Sequence, residues 1–254
     1  MADYTPSEMM VVRAARELKN GEVIFVGIGL PNVACNLARR LQAPNLVLIY
    51  ESGAVGAVPD RLPLSIGDPC LATDSLSVCS MVEVFNYYLQ RGLIDVGFLG
   101  GAQVDRFGNI NSTVIGEYQK PKARLPGSGG ACEIAIHAKK IIIVLKQNRN
   151  SFPEKLDFLT TPGFLRGQDE RKKMAMPGGG PALVITDLGV YRFSRNTREM
   201  VLAEIYPGIS VERVKENISW DLKVSPRLKT TEPPSPEELR LIREELDPQR
   251  IHLR

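Results

Sequence analysis

Leu46-Val47-Leu48-Ile49-Tyr50-Glu51-Ser52-Gly53-Ala54-Val55-Gly56 is the stretch from which the fold reads outward. Four aliphatic residues and a tyrosine make an apolar run of strand length, the pattern of a strand buried on both faces. The run stops at a single acid and passes into small residues. In open parallel α/β sheets, ligands gather at the carboxyl ends of such strands. Small residues beside an acid let a bulky group approach it closely. Glu51 is therefore a candidate reactive carboxylate, with Ser52 and Gly53 in its turn as a candidate ligand loop.

Working outward, Val23-Ile24-Phe25-Val26 predicts a strand, Gly27-Ile28-Gly29 a turn, and Pro31 the opening of a helix. Leu30, Val33, Ala34, Leu37, Ala38 and Leu41 fall on one helical face, and Ala43-Pro44-Asn45 ends it. Strand, helix and strand of these lengths form a parallel crossover unit. Before it, Thr5-Pro6-Ser7-Glu8 predicts a boxed helix start, and Asn20-Gly21 its end. Beyond it, residues 59–69 read as loop, 75–90 as mostly helix and 96–99 as a strand entering Gly100-Gly101. Asp105-Arg106-Phe107-Gly108-Asn109 carries turn chemistry. Ile141-Ile142-Ile143-Val144-Leu145 reads as a strand, residues 183–186 and 190–193 as a hairpin, and 200–206 as a further strand. After Trp220 the chain turns polar, with Pro226, Pro233, Pro234 and Pro236, then Ser235-Pro236-Glu237-Glu238 opens a short helix. The expected fold class is α/β: an open, mostly parallel sheet with flanking helices, as one domain over 1–254. Residues 223–254 are expected to be an extended proline-rich C-terminal arm, either solvated or strapped onto a partner subunit.

The bulk properties exclude several classes. Of 254 residues, 43% are apolar and 24% charged, an ordinary globular composition. A net charge of +3 gives no ground for nucleic acid or a membrane surface as partner. No apolar run approaches the roughly 18 residues of a membrane helix. Met1-Ala2-Asp3-Tyr4 lacks the apolar segment of a signal peptide, so the expected location is cytoplasmic. Cys35, Cys70, Cys79 and Cys132 show no CxxC and read as reduced, buried thiols.

Two glycine runs carry possible chemistry. Gly27-Ile28-Gly29, following a strand and preceding an acid by roughly 20 residues, has the outline of a dinucleotide fingerprint. The third glycine is missing at Asn32, and Pro31 removes an N–H that a pyrophosphate would need. Pro126-Gly127-Ser128-Gly129-Gly130-Ala131 is the second run. Its backbone N–H groups have little steric cover and suit a phosphate or a developing oxyanion. Lys120, Lys122 and Arg124 precede it and could meet phosphate or simply solvent. His137 and His252 have no metal-ligand spacing with cysteine or acid, so no metal is expected. Neither a GxSxG elbow nor a P-loop occurs.

These residues together resemble the family I coenzyme A-transferases, on the β-subunit side. The resemblance runs through residues 20–31, Leu48-Ile49-Tyr50-Glu51-Ser52-Gly53, Gly100-Gly101-Ala102-Gln103-Val104-Asp105, residues 108–113, the 126–131 loop and residues 241–248. Tyr-Glu-Ser-Gly in place of Ser-Glu-Asn-Gly is similar to the glutaconate coenzyme A-transferase branch. The resemblance implies the fold of that family and a ping-pong reaction through Glu51, with a glutamyl anhydride and a glutamyl-coenzyme A thioester. It implies that Gly127, Ser128, Gly129, Gly130 and Ala131 bind coenzyme A or hold the oxyanion, and that Gly27, Gly29, Ser52 and Gly53 lie near coenzyme A or substrate. It implies no resident cofactor, coenzyme A thioester as substrate, a dicarboxylic acid such as glutaconate or 3-oxoadipate, and an obligatory α subunit. Arg61, Arg106, Arg124 and Arg149 are candidates for the distal carboxylate, each with a plain surface role as the alternative. Two alternatives stay open. One is a ring-opening acyl-coenzyme A hydrolase of the same fold, a branch that lacks the glutamate. The other is a non-catalytic binding module.

Overall fold

A computed structural model describes residues 4–253. Met1, Ala2 and Asp3, on which the absence of a signal peptide partly rests, lie outside the described residues. Within the span read as one domain, the chain packs as two compact units: one runs to Phe98 and resumes from Pro233, the other spans Leu99 to Glu232.

The first unit opens with α1 (Pro6–Ala15), β1 (Val23–Phe25), α2 (Leu30–Arg40), β2 (Val47–Ile49), β3 (Ala54–Val55) and β4 (Ser77–Val78). It continues through α3 (Met81–Glu83), which runs on as a π-helical segment (Val84–Leu89), to β5 (Val96–Leu99). The strand order is β5-β1-β2-β3-β4. β1 pairs in parallel with β2 and β5, and the outer strands β3 and β4 add antiparallel. This is the crossover unit expected from the sequence. Ile24, Leu48, Ile49 and Tyr50 are fully buried, as a strand covered on both faces requires.

The second unit holds the small hairpins β6 (Gln103–Val104) with β7 (Ile110–Asn111), and β8 (Val114–Gly116) with β9 (Pro121–Arg124). Then come α4 (Ala131–His137), β10 (Lys140–Val144), α5 (Glu170–Lys173), β11 (Pro181–Ile185), β12 (Gly189–Phe193), β13 (Met200–Ile205), α6 (Val211–Glu216) and β14 (Lys223–Thr230). Its main strands run β14-β13-β12-β11-β10, parallel at β10/β11 and β13/β14 and antiparallel between.

Three expectations change. α1 starts at the Thr5/Glu8 capping box but ends at Ala15, because Glu17 and Leu18 donate back only three residues and tighten the chain into turns. Gly21, at φ +82°, serves the following turn instead of the helix end. Residues 75–80 are not helical: Ser77 and Val78 pair with Val55 and Ala54, a non-local contact that overrides local propensity. The C-terminal arm is extended only in part. Residues 223–230 form an edge strand, and Pro226 falls where the β13/β14 register shifts, a position that tolerates a missing donor. Pro236–Arg240 and Leu241–Leu246 then form a helix against α2 in the first unit. Arg16 clasps Glu238 at 2.6 and 2.8 Å, and Arg243 clasps Glu8 at 2.7 and 3.0 Å.

Candidate active site

Glu51 stands at the corner between β2 and β3. The Tyr50 N–H donates to Ala54 O (2.9 Å) and the Gly53 N–H to Tyr50 O (3.0 Å), closing a tight turn with Glu51 and Ser52 at its tip. Gly53 takes φ +112°, and a Cβ there would sit 1.9 Å from the Cys79 carbonyl oxygen. The Cys79 N–H donates to Gly53 O at 3.0 Å, so this glycine is required by backbone packing against β4. Gly56, at φ +67°, lies against the Leu76 side chain, with a Cβ there 2.6 Å from its Cγ and Cδ1. The turn is thus pinned on both sides. Glu51 itself is half-buried and has no hydrogen-bond or ion-pair partner among the described residues, whereas Ser52 is exposed. A carboxylate held on a rigid turn with unengaged oxygens suits nucleophilic attack.

The β1 end lies alongside. Val26 N–H donates to Ile49 O at 3.0 Å, the last rung of the β1/β2 ladder. Gly27 follows β1 as Tyr50 follows β2, so both stand at the carboxyl ends of two parallel strands, where ligands gather in such sheets. Cβ atoms built at Gly27 and Gly29 would meet nothing within 4 Å. Internal packing therefore does not account for Gly27, and close approach of a ligand would. Asn32 and Val33 both donate to Gly29 O, and Pro31 has no N–H, so Leu30 keeps the free donor of the first turn of α2 among the described residues. That is a poor cradle for a pyrophosphate, and the dinucleotide outline is not matched by dinucleotide geometry.

Behind Glu51, Tyr50 is fully buried and its hydroxyl donates to Asn32 Oδ1 at 2.9 Å. Asn36 Nδ2 donates to the same oxygen at 2.8 Å. Arg39 Nη1 reaches the Ala57 carbonyl at 2.8 Å, tying α2 to the chain beyond β3. Burial pushes the Tyr50 hydroxyl and the Cys35 thiol far up, so both stay neutral donors.

The 127–131 loop belongs to the second unit. Gly127 N–H donates to Ser112 O (2.8 Å), and Ser112 Oγ donates to Gly127 O (2.8 Å). Ser128 closes the other end: its O accepts from Ala131 N (2.9 Å) and its Oγ from Cys132 N (3.2 Å). The N–H groups of Ser128, Gly129 and Gly130 have no partner among the described residues. Gly127 (φ +96°) and Gly129 (φ +48°) flank Ser128, and a Cβ on either would meet nothing within 4 Å. Alternation of this kind makes a concave set of donors for an anion. Of the five residues, Gly127 and Ala131 are committed to holding the loop, and the middle three have donors to offer.

The arginine candidates separate. Arg61 is tied to Asp68 by two bonds (2.8 and 2.9 Å), which holds that carboxyl well below the usual range. Arg106 pairs with Glu154 (3.0 Å), and Arg124 donates to Tyr118 O (3.0 Å) and lies over its ring. Arg149 is exposed. His137 contacts its own helix at Glu133. Sequence reasoning passed over Pro177-Gly178-Gly179-Gly180-Pro181, whose signal is three glycines between prolines. Cβ atoms at Gly178 and Gly179 would overlap the Ala138 and Lys139 carbonyls, so this run is a ledge for the end of α4.

The first unit thus offers a free glutamate at a strand end, and the second a glycine-rich loop with free N–H groups. The chain matches the family described as Coenzyme A transferase over residues 7–217. The B-type subunit of the 3-oxoadipate CoA-transferase of Pseudomonas knackmussii is 52% identical over 243 residues, covering 96% of this chain and 94% of its own length. The B-type subunit of the glutaconate CoA-transferase of Acidaminococcus fermentans is 41% identical over 256 residues, covering 98% and 96%. The crystal structure of glutaconate coenzyme A-transferase from that organism is similar at a TM-score of 0.94 and 37% identity, covering all of this chain and 98% of that one. The chain belongs to the coenzyme A transferase family, as a subunit of the β type.

Proposed function

We propose that this chain supplies the nucleophile of a heteromeric coenzyme A-transferase that loads coenzyme A onto a dicarboxylic acid. The observation that carries this reading is the Glu51 carboxylate, unpartnered on its pinned turn at the end of β2. Glu51 attacks the thioester carbonyl of the donor, and expulsion of coenzyme A thiolate leaves a mixed anhydride. The thiolate attacks the glutamyl carbonyl and releases the donor acid, giving glutamyl-coenzyme A. The acceptor carboxylate attacks that thioester and again expels thiolate, which attacks the acceptor acyl carbon and restores Glu51. Charge moves between carboxylate and thiolate throughout, so no proton relay is needed. The free N–H groups of Ser128, Gly129 and Gly130 are proposed to hold an anionic oxygen, a service whose loss typically costs about 100- to 1000-fold per donor.

Both relatives are named as one lettered subunit of a larger enzyme, which supports an α-type partner that we expect to contribute part of the acid pocket. The names 3-oxoadipate and glutaconate support a dicarboxylate acceptor. The free thiols at Cys35, Cys70, Cys79 and Cys132 fit a reducing, cytoplasmic setting. Among the described residues no helix is long and apolar enough to cross a membrane.

The testing experiment is co-expression with an α-type subunit and assay of acyl-coenzyme A with and without acceptor acids. Product formation that requires both the second subunit and an acceptor supports transfer. Thioester loss in water alone identifies a hydrolase, and acceptor-dependent turnover by the single chain removes the need for an α subunit.

A further inference from the structure

We propose that a cleft in the second unit, walled by Phe164, Arg171, Lys172, Met176 and Arg198, is a binding site for a phosphate ester. The cleft encloses about 410 Å³. Three cationic side chains line it against the single acid Asp169. Arg171 is buried, and its guanidinium donates to Gly163 O (3.0 Å), Gly178 O (3.0 Å), Ala135 O (2.5 Å) and Ile136 O (3.1 Å). Carbonyl dipoles orient the group but leave its charge uncancelled, and no carboxylate pairs with it among the described residues. Burial pushes its pKa down to about 10, so it stays cationic at neutral pH. The Lys172 ammonium and the Arg198 guanidinium likewise have no carboxylate partner among the described residues. Arg198 lies over the Phe164 ring at 5.2 Å.

The frame of the cleft is unusual. Gln168, Ala175 and Arg198 on its wall, and Leu165 next to Phe164, take left-handed φ between +47° and +62°, a conformation that L side chains adopt at a cost. Asp74 and Arg250 are the other non-glycine residues with positive φ among those described. Strain gathered around one cavity, with unpaired cations on its wall, fits a cavity shaped for a ligand. The surplus of two positive charges matches a phosphate dianion, and the Arg198 guanidinium fork suits phosphoryl oxygens, while Arg171, with four of its five N–H groups on carbonyls, contributes charge. Phe164, Met176 and Pro177 offer an apolar wall to the organic part of the ligand.

Two sources carry this chemistry: the phosphorylated nucleotide end of coenzyme A, which rests on the function proposed above, and a free nucleotide. The test is calorimetric titration of the full chain with adenosine 3′,5′-bisphosphate, with phosphate-free pantetheine as control. The wild type should bind the bisphosphate and not pantetheine. Lys172→Glu combined with Arg198→Glu should weaken binding by at least about 100-fold, roughly tenfold for each charge-assisted contact. Both side chains reach solvent, so folding should survive. If it does not, Lys172→Ala with Arg198→Ala removes the same two contacts and should cost about 100-fold. A parallel loss for coenzyme A assigns the cleft to its nucleotide end, and unchanged coenzyme A binding assigns it to a free nucleotide. No binding by the wild type, or equal binding by a folded variant, overturns the proposal. Bisphosphate binding by a chain that forms no adduct on Glu51 would remove the nucleophile reading and leave this one standing.

Discussion

The Tyr50 hydroxyl donates to Asn32 Oδ1 at 2.9 Å, and so ties the residue before Glu51 to the first turn of α2. Both groups are fully buried. The bond sets the end of β2 against α2, the helix that starts at Leu30. Asn32, the residue that spoils the dinucleotide fingerprint, thus has a structural task at the candidate active site. Tyr50→Phe should cost about 1 kcal/mol in stability, the net worth of one buried hydrogen bond. If the bond also positions Glu51, the variant should lose severalfold in kcat with KM little changed. Urea denaturation and steady-state kinetics check the two effects separately.

Gly53→Ala should be far more damaging than its size suggests. The added Cβ would lie 1.9 Å from the Cys79 carbonyl oxygen, in a left-handed conformation that alanine disfavours. The backbone of β4 or of the turn must move. We expect a loss of at least about 2–3 kcal/mol and of transferase activity, from the strained conformation plus the displaced ladder bond. Gly29→Ala, where a Cβ meets nothing within 4 Å, should be strained only by its φ of +83° and fall less in stability. Comparing the two urea midpoints checks this order.

Within the glycine loop, Gly129→Ala should leave the fold nearly intact, at a cost of about 1 kcal/mol for a left-handed alanine. Its added methyl projects into open space beside the free N–H groups of Ser128 and Gly130. Activity should therefore fall by more than stability does. Ser112→Ala removes the donor to Gly127 O and should loosen the same loop. Thermal melting set beside kcat/KM distinguishes a site defect from a folding defect.

The C-terminal helix should detach in acid. Burial alone would raise the Glu8 carboxyl, but hydrogen bonds from Arg243 and the Thr5 backbone outweigh it and hold the group below the ordinary 4.5. Glu238 behaves the same way, with Arg16 and Ser235 outweighing burial. Carboxyls lowered on folding stabilise the fold above their unfolded pKa, and that contribution is lost as pH falls through the lowered folded values. Glu8→Gln should cost roughly 1–2 kcal/mol at pH 7 and less at pH 3, because below the unfolded value the contribution of a lowered carboxyl declines. Denaturation curves at the two pH values, followed by hydrogen exchange in residues 236–246, read this out.

The buried β1–α2–β2 crossover was legible because its signals are local: an apolar run, a helical period and a proline at a helix start. The place of Glu51 at the end of β2 was legible for the same reason. Hidden from sequence were features made by distant pairing. β3 and β4 are two residues long, too short for any alternation to register, and exist because Ala54 and Val55 meet Val78 and Ser77. Asn32 and Asn36 sit off the apolar stripe of α2, yet both are buried, because the helix is covered by α1 and by the C-terminal helix. Leu41, counted on the stripe, is exposed past the helix end. Residues 223–230 read as a solvated arm because proline and lysine interrupt them, and an edge strand with a register shift absorbs both. Arg171 stands beside Lys172 and Lys173 with nothing local to set it apart, and only the folded chain shows it buried among four carbonyls.

The central claim is that Glu51 carries the acyl group and then coenzyme A. The direct measurement is peptide mass mapping of the complex with its α-type subunit after incubation with acyl-coenzyme A and trapping with hydroxylamine or borohydride. Modification confined to the peptide bearing Glu51, and absent in Glu51→Gln, is the predicted result. Modification at another residue, or turnover by Glu51→Gln at the wild-type rate with no trapped species, would contradict it.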